Sequence, residues 1–279
     1  MSYQAIARKW RPTTFDEIAG QNHVTRTLKN ALRLDRVHHA FLFSGPRGVG
    51  KTTAARALAR ALNCEKGPTP DPCGECVSCK EILAGSSPDV IEIDAASHNG
   101  VNEIRPIRDN VRYRPAQSKY KVWILDEAHQ LSGAAFNALL KTFEEPPDHV
   151  RFVLATTELA KLPMTIRSRA QVFEFRRVGP SAVRGRLEML CEAEKIEVLP
   201  GVLELIARRT RGSVGDAEKI RAQARSLSGG ARLDDEAVRL ALGIPAADLV
   251  DRTRSSQNDH WGAVNGGGID SSEQVQGAG

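Results

Sequence analysis

The sequence GPRGVGKT at residues 45–52 constrains this chain more than any other feature. It fits the pattern G-x-x-x-x-G-K-[ST], in which glycines let backbone N–H groups turn inward around a phosphate. A short apolar run at residues 41–44 precedes the pattern, and residues 52–62, which carry an apolar stripe at helical spacing, follow it. This strand–loop–helix order is the context that the pattern needs, because the helix N-terminus adds a partial positive charge. The motif therefore predicts a nucleotide-binding phosphate loop, and the alternative is a glycine-rich turn without a ligand.

The residues of this phosphate loop have distinct expected roles. Lys51 is expected to reach the terminal phosphates of the nucleotide, and the hydroxyl of Thr52 is expected to ligate Mg2+. The residues expected to contact the nucleotide are Gly45, Pro46, Arg47, Gly48, Val49, Gly50, Lys51, Thr52 and Thr53.

A second apolar run supplies the acids that such a site requires. Residues 122–125 are apolar, and Asp126 and Glu127 follow them directly. Ligands of open α/β sheets bind at the carboxyl ends of the strands, so both carboxylates are expected at the site. Asp126 is the candidate Mg2+ partner, and Glu127 is the candidate base that orients and polarises an attacking water. Two acids at a strand end are common in isolation, and the phosphate loop upstream favours the catalytic interpretation.

Two threonines, Thr156 and Thr157, follow the apolar residues 152–155. A polar side chain at this strand end can touch the γ-phosphate or the attacking water. Capping of the strand end explains the same residues without any function, and the sequence leaves both interpretations open.

The order of elements favours an α/β fold. Apolar runs that are mostly rich in β-branched or aromatic residues predict buried strands at residues 41–44, 90–93, 122–125, 152–155 and 172–175. Segments with helical spacing lie between most of these runs, which predicts a five-stranded parallel sheet covered on both faces. We expect residues 1–179 to form this core.

The remainder of the chain has a different pattern. Residues 180–243 are expected to form a small helical lid domain without strands, with helices at 181–194, 201–210, 214–227 and 234–242. Asp234 and Asp235 can cap the last helix, and Gly243 can close it. Residues 251–279 hold six glycines and few apolar side chains, so we expect residues 244–279 to be a disordered tail.

Composition and charge exclude several classes of protein. With 41% hydrophobic and 26% charged residues, the chain is not globally disordered. No apolar run approaches the roughly 20 residues of a membrane span, and the N-terminus lacks the layout of a secretory signal, so we expect a cytoplasmic protein with no membrane partner. The net charge is +5, and residues 1–63 hold 11 Lys or Arg against 3 Asp or Glu. This excess fits either a solvated basic face or a surface for phosphate groups.

Four cysteines predict a metal site. Cys64, Cys73, Cys76 and Cys79 follow the spacing C-x8-C-x2-C-x2-C. Four thiolates can complete a tetrahedral Zn2+ site, and the Pro- and Gly-rich segment between them has little core of its own. An iron–sulfur cluster is the alternative, but residues 80–82 lack the fourth Cys and the Pro of that pattern. Disulfides are a third possibility and are rare in the cytoplasm. The remaining Cys191 lies on an apolar helix face and is expected to be a core thiol.

Taken together, these residues resemble the AAA+ ATPases of clamp loaders, and most closely the gamma/tau family of bacterial DNA polymerase III subunits. The resemblance runs from Tyr3 to about Gly243. Its carriers are residues 7–12, 45–52, 92–97, 126–127, 137–147, 155–157 and 166–169, with the four-Cys insertion directly after the helix of the phosphate loop. The combination of the cysteine insertion, the phosphate loop and the Ser168-Arg169 pair is specific to this branch.

The resemblance implies ATP as the nucleotide and a set of further roles. Arg169 would be an arginine finger that reaches the ATP site of a neighbouring subunit, where a guanidinium offsets charge on the transferred phosphoryl group. Thr157 would be the first nucleotide sensor, and residues 7–12, which include Arg11 and Pro12, would cover the adenine. The implied partners are the other clamp-loader subunits, the sliding clamp, and primed DNA bound through its phosphates.

The sequence departs from this family in two places. The family carries an arginine in a Gly-Ser-x-Arg-Asp-Ala stretch of the lid, where this chain has Gly215. Lys219, one helical turn further on, is a candidate substitute. The family also continues after residue 243 into a helical collar domain, whereas we expect a disordered tail here.

Three functional hypotheses follow. The first is an ATPase subunit of the replicative clamp loader. The second is another AAA+ machine, such as a branch-migration motor, which would lack the four-Cys insertion. The third is a nucleotide-binding AAA+ module with weak or no ATPase activity that acts as a structural partner, an interpretation favoured by Gly215 and opposed by Lys51, Thr52, Asp126 and Glu127.

Overall fold

A parallel five-stranded sheet forms the centre of the structure, a computed structural model that describes residues 10–230 and 232–244. The strands are β1 (Ala40–Ser44), β2 (Val90–Asp94), β3 (Lys121–Asp126), β4 (Val150–Thr156) and β5 (Gln171–Glu174). Their order across the sheet is β2-β3-β4-β1-β5, and every pairing is parallel. The predicted parallel sheet is therefore confirmed, with small differences at the strand ends.

Helices lie between the strands, as the alternating pattern predicts. They are α1 (Asn22–Arg33), α2 (Lys51–Asn63), α3 (Val77–Ala84), α4 (Val101–Asn110), α5 (Gly133–Glu144) and α6 (Met164–Arg167), with short 3-10 turns at Ala128–Gln130 and Leu159–Lys161. Helix α5 begins where the side chain of Ser132 accepts the backbone N–H of Ala135, which is the usual cap at a helix start.

Alternation along the strands gives the sheet one apolar set for each face. In β1, Phe41 and Phe43 pack in a cluster with α1 and α2. Ala40 and Leu42 point the other way and pack in a cluster with α4 and α5. Because β1 is covered on both faces, all five of its residues are buried.

The parallel register brings the functional strand ends to one edge of the sheet. Ser44 at the end of β1 is paired with Thr156 at the end of β4, and Asp126 at the end of β3 is paired with Asp94 at the end of β2. The loop after β1, the acids after β3 and the threonines after β4 therefore lie side by side.

The C-terminal part packs around a third apolar cluster. Its elements are α7 (Pro180–Ala193), β6 (Glu197–Val198), α8 (Val202–Arg209), α9 (Val214–Leu227), β7 (Arg232–Leu233) and α10 (Asp235–Ala241). The expectation of helices alone is wrong here, because β6 and β7 pair in parallel. A two-residue strand is too short to show an alternating pattern. Asp234 caps α10 by accepting the N–H of Ala237 at 2.9 Å, and Gly243 follows the helix with a positive φ of 66°.

The boundary between the core and the lid at residues 179 and 180 stays a prediction. Residues 7–9 of the N-terminal motif and residues 245–279 of the expected tail lie outside the described residues. In the part of the chain that the structure describes, no helix is both long and apolar enough to cross a membrane.

Candidate nucleotide site and cysteine cluster

A cavity of about 570 Å3 lies at the carboxyl edge of the sheet, between the phosphate loop, the N-terminal segment and α9. The predicted residues that line it are Arg11, Pro12, Arg47, Gly48, Val49, Gly50, Lys51, Thr52, Thr53, Asp126 and Glu127. Residues from the start, the middle and the lid of the chain thus meet in one space that is large enough for a nucleotide.

The phosphate loop has a backbone that only glycine adopts easily. Gly45 has φ +145°, and a Cβ there would lie 2.2 Å from the carbonyl oxygen of Phe175. Gly48 has φ +74°, and its Cβ would lie 2.1 Å from the Oγ of Ser213. The loop is therefore held closely by Phe175, the residue directly after β5, on one side and by Ser213 at the start of α9 on the other.

Lys51 points into this loop. Its Nζ donates to the carbonyl oxygens of Gly45 and Pro46, both at 2.8 Å, and the residue is buried. Burial lowers the pKa of Lys51, and the nearby carboxylates of Glu127 and Asp126 oppose that shift. The cation is therefore kept beside the two acids at the place where phosphate oxygens would replace the carbonyls.

The candidate Mg2+ ligands are in direct contact. Thr52 Oγ1 donates to Asp126 Oδ2 at 2.7 Å, which joins the helix after the phosphate loop to the end of β3. Hydroxyl and carboxylate oxygens are ligands that Mg2+ prefers, so the residues present fit the ion.

Glu127 and Thr157 are also joined. Thr157 Oγ1 donates to Glu127 Oε2 at 3.1 Å. Glu127 has a positive φ of 45°, a conformation that is uncommon for a non-glycine residue and that recurs at functional sites. Thr157 does not itself line the cavity, so it reaches the site through the carboxylate it holds.

Arg169 lies away from the cavity. Its Nη2 is 3.0 Å from Glu144 Oε1, and its Nη1 donates to the carbonyl oxygen of Thr165 at 3.1 Å. It lines a separate open depression together with Arg36 and His38. The side chain is partly exposed, and it does not act on the chain's own phosphate loop in this arrangement.

The lid contributes the opposite wall of the cavity. The backbone N–H of Gly215, near the start of α9, donates to the carbonyl oxygen of Gly48 at 3.0 Å. A Cβ on Gly215 would lie 3.4 Å from the Cα of Gly48. Lys219 lines the same wall, with its Nζ 3.8 Å from Asp216 Oδ1.

Hydrogen bonds of Trp10 join the N-terminal segment to buried ion pairs within the lid. Arg186 pairs with Glu218 at 2.9 Å, and it also donates to the carbonyl oxygen of Trp10. The indole N–H of Trp10 donates to Glu194, whose other oxygen accepts from Arg221 and Arg225 at 2.8 and 2.6 Å. Trp10 directly precedes Arg11 and Pro12 in the cavity, so the expected adenine cover is fastened to the lid helices.

Sequence reasoning missed several residues of the site. Arg186 and Glu218 line the cavity without any local motif to reveal them. Asp94 and Ala96 line it because β2 ends beside β3, and their position at a strand end is a signal that could have found them. His129, three residues after Asp126, places its Nδ1 3.5 Å from Oε2 of Glu127, the candidate base.

The four cysteines of the insertion come together as predicted. The Sγ atoms of Cys64, Cys73, Cys76 and Cys79 all lie within 4.8 Å of one another. Tetrahedral Zn–S bonds of about 2.3 Å require sulfurs about 3.8 Å apart, so the cluster can hold one ion with a small contraction. The backbone N–H groups of Cys73, Cys76 and Cys79 each lie 3.4 Å from the Sγ of another cysteine of the cluster. All five described cysteines are free thiols.

Two of these thiols differ in their acidity. Hydrogen bonds from the backbone N–H groups of Cys76 and Glu75 lower the pKa of Cys73 to about 6. Burial raises the pKa of Cys79 to about 12. The set therefore needs the charge of a bound cation to become four thiolates at neutral pH. Cys191 is buried in the third cluster, and burial raises its pKa, as expected of a core thiol.

Comparison with known proteins shows the family of the chain. Residues 20–179 match the family model described as DNA polymerase III, delta subunit. The chain is 54% identical over 229 residues to DNA polymerase III subunit tau of Bacillus subtilis, covering 82% of this chain and 41% of that protein. It is 51% identical over 243 residues to subunit tau of Escherichia coli, covering 87% and 38%. It is 47% identical over 230 residues to subunit gamma of Buchnera aphidicola, covering 82% and 64%. The chain thus spans about two fifths of the length of the tau relatives it matches.

Solved structures show the fold. RuvB of Thermotoga maritima, described as a Holliday junction branch migration motor, superposes with a TM-score of 0.61 at 22% identity and covers 84% of this chain and 72% of that one. At that identity the likeness concerns the architecture alone, and it agrees with the expected α/β fold. The family model matches more than half of the chain, and the tau and gamma subunits named above are about half identical to it. The chain therefore belongs to this family of DNA polymerase III subunits.

Proposed function

We propose that this chain binds ATP and hydrolyses it as a subunit of a clamp loader, the assembly that opens a sliding clamp and places it on primed DNA. The observation that carries this proposal is the junction of Thr52 with Asp126 at 2.7 Å beside Lys51 and Glu127 in one cavity. A cation, a pair of oxygen ligands and a carboxylate base are the groups that phosphoryl transfer to water requires.

Binding begins with the phosphate loop. Phosphate oxygens replace the two loop carbonyls as acceptors for Lys51 Nζ, and the backbone N–H groups at the start of α2 surround the anion. The oxygens of Thr52 and Asp126 would hold Mg2+, which neutralises charge on the phosphates when it is bound. Arg11 and Pro12 line the cavity at the position proposed for the adenine.

Glu127 is the proposed base. One of its oxygens accepts the hydrogen bond of Thr157, which leaves the other free for a water. The water attacks the γ-phosphorus as its proton passes to Glu127, the bond to the bridging oxygen breaks, and ADP leaves. Arg169 is proposed to act on the site of a neighbouring subunit, because it lines a separate depression and not the nucleotide cavity of its own chain.

The cysteine cluster is proposed to hold one structural Zn2+. Four sulfurs leave no open coordination position, which is typical of structural sites. The cluster follows directly on α2, and Cys64 and Cys79 are buried, so the ion would fix the loop between α2 and α3.

Other clamp-loader subunits, the sliding clamp and primed DNA are the proposed partners. Contacts to DNA are proposed to involve phosphates, so stimulation of hydrolysis by primed DNA should fall steeply with salt. The second candidate is a nucleotide-binding module with weak or no hydrolysis, which Gly215 favours because it leaves that position of the lid without a side-chain cation.

The decisive test replaces the base. Glu127→Gln keeps the shape of the side chain, so we expect ATP affinity within about 3-fold of wild type. Turnover should fall at least about 100-fold, because general base catalysis typically contributes about 10²–10⁴-fold. Single-turnover hydrolysis and calorimetric titration of ATP measure the two quantities. Glu197→Gln, an exposed lid residue in β6, is the matched control. Undiminished hydrolysis by Glu127→Gln would exclude this role.

The metal is tested separately. Elemental analysis of freshly purified protein is expected to give one zinc per chain, and Cys73→Ser is expected to reduce it strongly. Acid should release the ion, because the thiolates must be protonated to let it go. Iron in place of zinc, or no metal, would contradict the proposal.

A further inference from the structure

His129 lies between two carboxylates. Its Nδ1 is 3.5 Å from Glu127 Oε2, and its Nε2 is 3.4 Å from Glu158 Oε1. The same Nδ1 is 3.0 Å from Thr156 Oγ1. The ring is only 7% exposed, so its nitrogens depend on these protein groups rather than on solvent.

These contacts span the two strand ends that form the catalytic side of the site. Glu127 follows β3, and Thr156 ends β4. Glu158 comes two residues after Thr156, and its backbone N–H donates to Thr156 Oγ1 at 3.0 Å. Between them lies Thr157, the donor to Glu127 Oε2. The ring therefore connects the segment after β3, which carries Glu127, to the end of β4, which is followed by Thr157, the hydrogen-bond donor to Glu127.

Charge supports the same arrangement. Glu158 faces the ring with Lys161 2.9 Å away on its outer side, and Lys161 together with His129 lowers the pKa of Glu158. The ring thus has an ionised carboxylate on its Nε2 side, and its Nδ1 side faces Thr156 and Glu127. The Nδ1 edge is the one that bears on the base.

We propose that His129 is a positioning residue for Glu127. By fixing Thr156 and Glu158, it places Thr157 at hydrogen-bond distance from Glu127, and through its Nδ1 it limits the directions in which the carboxylate can turn. The inference rests on the proposed role of Glu127 as the base. Its physical reason is that a misplacement of about 1 Å in a reacting group can cost about 100-fold in rate.

The role predicts a separation of rate from binding. His129→Ala should lower kcat about 10- to 100-fold and leave the affinity for ATP within about 2-fold, because His129 is not among the residues that line the cavity. His129→Asn retains an amide near the place of Nδ1, so it should recover most of the lost rate. His129→Gln can reach toward Glu158 but not the Nδ1 partners, so it should recover little.

The control is His149→Asn. His149 is a partly buried histidine at the opposite end of β4, where its ring contacts the carbonyl oxygen of Val111 at 3.0 Å. Its replacement should cost stability without lowering kcat at a temperature where the variant is folded. Thermal melting of each variant separates unfolding from loss of rate.

The experiment is single-turnover ATP hydrolysis with the full chain, together with ATP affinity, for wild type, Glu127→Gln and the His129 variants. The expected order of kcat is wild type, then Asn, then Gln and Ala, at nearly constant affinity. An Ala variant with wild-type kcat, or equal losses in the Asn and Ala variants, would overturn the role of His129. Equal turnover by wild type and Glu127→Gln would instead overturn the proposed base, which distinguishes the two failures. If the Ala variant does not fold, Glu158→Gln, which weakens only the outer anchor, should still lower kcat, and an unchanged kcat in that variant contradicts the proposal.

Discussion

The two walls of the nucleotide cavity are built on different principles. The wall formed by the phosphate loop and β3 presents side chains with matched chemistry, since Lys51, Thr52 and Asp126 all contact groups within that wall. The wall formed by the lid approaches through its backbone, with the N–H of Gly215 on the carbonyl oxygen of Gly48. The first wall therefore presents the side chains that can bind phosphate, whereas the second contacts the first through a backbone hydrogen bond.

The difference shows how the lid can be held in place without an arginine at position 215. A Cβ there would lie 3.4 Å from the Cα of Gly48, the short end of ordinary van der Waals contact, so the backbone hydrogen bond rather than a side chain joins the lid to the loop. Glu194 fastens the lid to the N-terminal segment, because its carboxylate accepts hydrogen bonds from Trp10, Arg221 and Arg225. Affinity for ATP should therefore depend on side chains of the first wall and only weakly on those of the second.

The largest expected effect on stability comes from breaking the fastening. Glu194→Gln removes the charge that two arginines share, and Arg221 is almost fully buried. Leaving a buried charge unpaired costs about 3–5 kcal/mol, so the free energy of unfolding should fall by that amount in chemical denaturation. Glu192→Gln, two residues earlier and exposed, should change it by less than about 0.5 kcal/mol. Equal effects in the two variants would contradict the account of the fastening.

The acidity of Glu194 gives the same fastening a pH dependence. Burial raises its pKa, but hydrogen bonds and charge from Arg221, Trp10 and Arg225 outweigh burial and lower it below the usual value. A lowered folded-state pKa means that the carboxylate stabilises the fold above its unfolded pKa, and that this contribution is lost as pH falls through the folded one. In chemical denaturation at a series of acidic pH values, the free energy of unfolding should therefore fall more steeply with decreasing pH for wild type than for Glu194→Gln.

The next largest expected effect on stability is that of Gly48→Ala, which we compare with a substitution of the facing Gly215. Gly48→Ala forces a side chain into a positive φ and against Ser213, the residue that caps α9. Backbone strain of about 1–3 kcal/mol and a weakened cap of about 1 kcal/mol should together lower the free energy of unfolding by about 2–4 kcal/mol. ATP affinity should fall with it, because the loop cannot keep its shape.

Gly215→Ala is the matched variant on the opposite wall. Its Cβ meets only a tight contact, and alanine favours a helix over glycine by about 1 kcal/mol. The two terms oppose each other, so the free energy of unfolding should change by no more than about 1 kcal/mol. A loss as large as that of Gly48→Ala would show that the two walls are equally intolerant.

The part of the site that the sequence predicts is the part made from local patterns. The phosphate loop follows β1 within a few residues, and Asp126 and Glu127 follow β3, so strand pattern and motif together predict their meeting point. The contact of Arg186 with Trp10 joins residues 176 positions apart, and no local pattern records such a contact. The same holds for the Gly48–Gly215 contact and for His129, whose partners come from two strands. The two short lid strands escaped prediction because two residues cannot show a period.

The smallest expected effect concerns Lys219. It is the candidate substitute for the missing arginine, and its side chain is 60% exposed with Asp216 nearby. An exposed ionic contact contributes about 0.2–1 kcal/mol, so Lys219→Ala should weaken ATP binding by no more than about 5-fold. Calorimetric titration measures this change. A loss of ATP affinity of about 50-fold or more, close to that expected for Lys51→Ala, would assign the lid the same role as the phosphate loop.

Calorimetric titration of ATP into wild type, Lys51→Ala and Lys219→Ala tests the contrast between the walls most directly. Charge-assisted hydrogen bonds contribute about 1.5–3 kcal/mol each, and Lys51 is placed to make two, so Lys51→Ala should lower the affinity at least about 100-fold. Lys219→Ala should stay within about 5-fold of wild type. Losses of similar size in the two variants, or full affinity in Lys51→Ala, would contradict the claim that the phosphate-loop wall binds the nucleotide and the lid only closes over it.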